Sequence, residues 1–217
     1  MLTIVNYFFP NFIPYNIIDD FWSTKGSIIE WYVTSKYLFF WAIFWGLFGM
    51  IKSFINNESY HTFNEIIQSG VLKSLYAGIT EEILFRWLLF LGSMIALYIS
   101  NWILGGFLGS NFGLIQWIHN TIEAPVSNWV TFGYLKNQIF HTHWYTGAAI
   151  ISTNVLFRDG HKYQGLFGTI NSWFGGMFLF YIMFKFGLIP AIIIHASYNM
   201  TLYIFAAFTS LIKTIAR

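Results

Sequence analysis

The sequence predicts an all-α protein, a polytopic bundle of about five to seven transmembrane helices. Three observations carry that expectation. The 217 residues are 56% hydrophobic and 22% aromatic, and only 9% are charged, against about 25% in soluble domains. The mean hydropathy is +0.56. Several stretches approach or exceed the roughly 20 apolar residues that a helix needs to cross the hydrocarbon core.

Taken in order, the first such stretch runs from Trp31 to Ile51, interrupted only by Lys36. The second, Val71 to Ser100, is long enough to span with tilt. The third, Trp102 to Ile118, carries Gly105, Gly109 and Gly113 at four-residue spacing, which lets a neighbouring helix approach closely. From His119 to His143 the chain turns polar around Pro125 and reads as a loop or interfacial segment. Tyr145 to Phe157 reads as a short buried helix. Gly165 to Gly187 and Leu188 to Ile212 follow as two spans, with Pro190 near a first helical turn, where proline is tolerated.

Residues 1–30, with Pro10, Pro14, Asp19 and Asp20, read as an interfacial or re-entrant lead-in, and residues 31–217 as one transmembrane domain. The N-terminus lacks the basic start and small-residue cleavage site of a signal peptide, so it is expected to remain. No internal repeat or low-complexity tract interrupts the chain. Lys52, Lys73, Arg158, Lys162, Lys213 and Arg217 are too few and too spread to set an orientation.

Composition also excludes functions. A net charge of +2 without any lysine or arginine run gives no nucleic-acid footprint. The absence of cysteine removes disulfides, thiolate metal sites and a cysteine nucleophile. Membrane lipids are the first partner implied. The aromatic groups Trp31, Tyr32, Phe39, Phe40 and Trp41 fit interface anchoring and lipid contact.

Against this background the segment GITEEILFRWLLF, residues 78–90, stands out: it sets Glu81, Glu82 and Arg86 inside an apolar run. Each ionisable group at bilayer depth costs a few kcal/mol or more and so faces the protein interior. Glu82 and Arg86 are four apart, neighbours on one helix face, and predict an internal ion pair. Glu81 lies about 100° around the helix from Glu82 and is left for another purpose. Burial and a nearby arginine push its affinity for protons in opposite directions, the balance a general base requires.

Two further stretches carry polar groups. In HASYN, His195 and Asn199 are four apart on an apolar helix and project toward the same point, where they could donate hydrogen bonds to an oxyanion; a polar contact between helices is the other use of such a pair. In FRDGH, His161 follows Phe157 at a spacing of four, beside Arg158 and Asp159.

Together, EExxxR at Glu81, Glu82 and Arg86, FxxxH at Phe157 and His161, and HxxxN at His195 and Asn199 resemble, in order, the three motifs of the CPBP family. That family comprises intramembrane proteases related to the CAAX prenyl endopeptidases and to bacterial abortive-infection and bacteriocin-immunity proteins. The likeness covers roughly Val71 to Ile212. Seventy residues separate Arg86 from Phe157, more than a compact member needs, and the interval contains His119, His141 and His143. His119 rivals His161 for the second motif, with Ile115 where the motif has phenylalanine.

The resemblance implies a helical core with a catalytic cavity within the bilayer, in a multi-pass protein of a prokaryotic plasma membrane. It implies that Glu81 and His161 activate a water, that His195 and Asn199 stabilise the tetrahedral oxyanion, and that Glu82 and Arg86 orient the base. The substrate would be a peptide or lipidated protein, cut near the C-terminus of a prenylated, CAAX-type chain. Metal-free chemistry is favoured and no cofactor is expected. Zinc is the alternative, with Glu81, His161 and His195 as its ligands and an open position for water. HExxH, GxGD and GxSxG signatures are missing. His141 and His143, two apart, diverge on a helix and make a poor metal pair. Two other functions compete: a non-catalytic immunity or scaffold protein, and a proton- or ion-coupled transporter relaying charge through Glu81 and the histidines.

Overall fold

The structure is a computed structural model that describes Tyr15 and residues 20–56, 61–107 and 113–216. Within the predicted lead-in, Pro10, Pro14 and Asp19 lie outside the described residues, as do Gly109 and Arg217.

All regular elements among the described residues are helical. A capping box opens α1, Ile28–Thr34: Ser27 Oγ accepts from Glu30 N, and Glu30 Oε2 accepts from Ser27 N at 2.7 Å. The predicted first span is therefore divided, because the chain turns at the buried Ser35 before α2, Lys36–Asn56. A second capping box, Thr62 with Glu65, starts α3, Phe63–Glu81. This helix continues through wider i→i+5 turns over Glu82–Leu89 into α4, Phe90–Phe107.

Among the described residues four helices are long and apolar enough to cross a membrane: Lys36–Asn56, Phe63–Gly105, Lys162–Phe186 and Leu188–Ile215. Their outward faces carry residues such as Phe40, Ile55, Leu72 and Trp102, exposed by 63, 77, 71 and 76%. Surface this apolar is matched by lipid rather than water. The chain is an integral membrane protein.

The predicted third span, Trp102 to Ile118, does not form one helix. Asn101 Oδ1 accepts from Gln116 N at 3.1 Å, whereas in a straight helix fifteen residues would separate those groups by about 22 Å. The chain has doubled back, and α5, Leu114–Ile118, starts after Gly113. The stretch expected as a loop or interfacial segment, His119 to His143, is largely helical and so is not a loop. A wide turn at His119–Glu123 leads into α6, Ala124–Val130, and α7, Lys136–Phe140, follows. Pro125 is the second residue of α6, so its missing N–H falls where the wide turn passes into α6. Leu135 and Ile139 anchor the excursion in the core.

The short buried helix is α8, Trp144–Gly160, with ten buried residues. A 3-10 turn, Lys162–Gln164, leads to α9, Gly165–Phe186, and then α10, Leu188–Ile215. Gly187 has φ +110° between the last two helices, and a Cβ there would collide with the Ser23 carbonyl, so the reversal needs glycine. Residues 20–26 lie across that junction: Leu188 N donates to Phe21 O at 2.6 Å and Lys25 N to Phe186 O at 2.8 Å. Phe21 itself is buried against Phe90 and Phe184.

The long helix buries a stripe at every fourth position, Ile66, Gly70, Ser74, Gly78, Glu82, Arg86, Phe90 and Met94; its first half packs on α10, while Arg86 and Phe90 meet α8 and α9. At 3.6 residues per turn a four-residue step overshoots a full turn by about 40°. The wider turns over Glu82–Leu89 hold more residues each, so there the same step falls short and sweeps the stripe back. This rephasing buries Glu82 and Arg86 together. Close approach depends on glycine at Gly78, where a Cβ would lie 2.9 Å from Ile192 O and 3.1 Å from Ala196 Cβ.

Candidate active site

The three motif-bearing segments converge. Glu81 ends α3, His161 caps the C-terminus of α8, and His195 and Asn199 stand on α10. All four line one cavity of about 470 Å³.

The predicted ion pair is present: Arg86 Nη1 lies 3.4 Å from Glu82 Oε1, and both side chains are fully buried. The Arg86 guanidinium also lies over the Phe157 ring at 4.0 Å and faces Phe180 at 5.5 Å, which adds cation–π attraction where water is excluded. Glu82 Oε1 has a second partner, His195 Nδ1, at 2.7 Å. A carboxylate only accepts, so Nδ1 carries the proton and Nε2 is the nitrogen that faces the cavity.

His161 is fixed in the same sense. Its Nδ1 donates to the Phe157 carbonyl at 2.7 Å, turning Nε2 toward Glu81. Glu81 Oε2 is 3.9 Å from His161 Nε2 and 3.7 Å from His195 Nε2. Both separations are too long for direct hydrogen bonds and short enough for one water to contact both acceptors. Glu81 Oε2 finds no hydrogen-bond partner among the described residues although it is buried.

The spacing in FxxxH has a visible purpose. One helical turn places the Phe157 ring 4.6 Å from the His161 ring, and its other neighbours are Arg86 and His195, the latter 6.2 Å away. The adjoining turn is held by Asp159, which pairs with Lys162 at 2.8 Å and Arg158 at 2.6 Å. Hydrogen bonds from Lys162 and then Arg158 hold the Asp159 carboxyl below its usual range.

The other histidines lie apart. His119 is buried beside α8, its Nδ1 3.5 Å from Glu123 Oε2, and does not line the cavity. His143 stacks on Tyr145 at 5.0 Å, and neither it nor His141 reaches the cavity. Among the described residues no group of three His, Asp or Glu side chains could hold a metal ion. Glu81, His161 and His195 do not form such a group in this arrangement.

Asn171 and Lys73 are among the polar lining residues outside the three motifs. Asn171 Oδ1 accepts from Trp41 Nε1 at 3.0 Å and from the Tyr198 hydroxyl at 2.5 Å. Because an indole N–H only donates, Oδ1 is identified, and the Asn171 amide N–H groups remain for other partners. Lys73 also lines the cavity. An isolated asparagine at a helix crossing has no sequence signature; an unpaired lysine within an apolar run was the signal available for Lys73.

Fold and cavity together define a class: a multi-pass helical membrane protein with a carboxylate, two imidazoles and an amide gathered at a cavity between spans. Residues 63–201 match the family model described as type II CAAX prenyl endopeptidase Rce1-like. The chain belongs to that family of CAAX-type membrane endopeptidases and is thus a protease, a hydrolase. No curated protein and no solved structure matches it.

Proposed function

We propose that the chain cleaves a peptide bond near the C-terminus of a prenylated, CAAX-type substrate with a water activated by Glu81 and His161. The observation that carries this reading is the unpartnered, buried Glu81 Oε2, flanked by two imidazole Nε2 atoms at 3.7 and 3.9 Å.

The water donates one proton toward Glu81 Oε2 and the other toward His161 Nε2. As its oxygen attacks the carbonyl carbon, Glu81 takes the first proton and the carbonyl π pair moves onto oxygen. Asn199 Nδ2–H donates to that oxyanion. So does His195 when Nε2 is also protonated, with Glu82 balancing the ring charge through Nδ1. Collapse of the intermediate breaks the C–N bond, and the proton on Glu81 passes to the departing amine. Arg86 offsets the Glu82 charge and, through Phe157, braces both imidazoles.

The test is cleavage of a farnesylated CAAX peptide in membranes by Glu81→Gln and His161→Ala. Each should lose about 100-fold or more in kcat, with thermal unfolding unchanged because both residues are partly exposed. Retained activity in both variants would end this mechanism.

A further inference from the structure

We propose that Lys73 binds the C-terminal carboxylate of the substrate, about three residues beyond the bond that is cut, so that the cavity measures distance from a free chain end. The placement of that bond rests on the hydrolytic reading above; the binding site itself does not.

Among the described residues lining the cavity, Lys73 is the sole lysine or arginine and Glu81 the sole acid. Lys73, Ala77 and Glu81 follow at four-residue steps along α3 and all line the cavity. Eight residues of helix separate Lys73 from Glu81 by about 12 Å. The opposite wall keeps the same scale, because α10 runs antiparallel. A Cβ on Gly70 would lie 2.7 Å from Tyr203 Cβ, Gly78 faces Ala196, and Glu82 bonds His195. His195 therefore stands toward the Glu81 end and Tyr203 toward the Lys73 end.

An extended chain of three residues spans about 10–11 Å, close to the about 12 Å of helix that separates the two positions. A carboxylate entering a largely apolar cavity loses hydration and is tolerated only beside a cation. At the Glu81 end it would meet like charge; at the Lys73 end it gains a partner. No ion pair engages Lys73 among the described residues. The matched substrate is a peptide with a free C-terminus, and a chain amidated or extended there lacks the group Lys73 recognises.

The test reads binding rather than cleavage. A synthetic peptide with a farnesylated cysteine followed by two aliphatic residues and a C-terminal methionine is compared with its C-terminal amide by fluorescence anisotropy on the detergent-solubilised full chain carrying Glu81→Gln. We expect the carboxylate to bind about tenfold tighter than the amide, the ratio to fall to about one with Lys73→Gln, and most of it to return with Lys73→Arg. A ratio that survives Lys73→Gln, or a ratio of one before that substitution, overturns the proposal. Failure of the hydrolytic reading appears separately, as cleavage that persists without Glu81, and leaves the binding ratio standing.

Discussion

Glu82 and His195, 113 residues apart in sequence, share a buried 2.7 Å hydrogen bond from imidazole Nδ1 to carboxylate Oε1. The same oxygen lies 3.4 Å from Arg86 Nη1. One carboxylate thus serves a neighbour on its own helix and a ring on another, tying the site's orientation to the packing of α10 on the long helix.

Glu82→Gln keeps the shape and removes the charge shared by Arg86 and His195. Removing one partner of a buried pair costs about 3–5 kcal/mol. Thermal unfolding in detergent should drop sharply and peptide hydrolysis fall at least tenfold; a wild-type melting temperature would contradict the role of the pair.

Arg86→Met alone leaves Glu82 buried without its cation and should be as harmful. Glu82→Gln with Arg86→Met removes both charges, so its cost should be below the sum of the single costs by about 1–3 kcal/mol. Strict additivity in a double-mutant cycle would show that the two residues do not interact.

Two glycine substitutions separate close packing from propensity. Gly78→Ala puts a methyl 2.9 Å from the Ile192 carbonyl, so α10 must shift and carry His195 with it. Both stability and kcat should fall. At Gly92 nothing lies within 4 Å of a built Cβ, and Gly92→Ala should be neutral or stabilise by about 0.5–1 kcal/mol.

Asp159 supports the turn that carries His161, and its carboxyl is held below the ordinary range. A carboxylate lowered in the folded state contributes stability above its unfolded pKa, and that contribution disappears as pH falls through the lower folded value. At neutral pH the contribution is fully present. Asp159→Asn should therefore lower the melting temperature slightly at neutral pH, since the pairs it loses are only part-buried, and the deficit should vanish toward strongly acid pH. A deficit that stayed constant across pH would exclude the charge as its origin.

The helical class, the Glu82–Arg86 neighbourhood and the projection of His195 and Asn199 toward one cavity were legible because they follow from fixed periods. Apolar run length marks a span, and a four-residue step marks a helix face. The excursion from His119 to His143 was not legible, because proline in a first turn and proline in a loop leave the same local trace. The break in the third expected span was hidden for a similar reason: the Asn101 to Gln116 contact that closes it joins residues fifteen apart.

The sequence by itself determined which side chains would resist facing lipid, since the cost of an unpaired charge in hydrocarbon is a property of the residue and its depth. Only the tertiary structure decided which partner each charge would meet. Glu82 is four residues from Arg86 in any helix, but its bond to His195 exists because Gly78 lets α10 approach and wider turns carry Glu82 and Arg86 into one buried stripe. Partnership between distant residues depends on how two helices approach and rotate, and no local period encodes that.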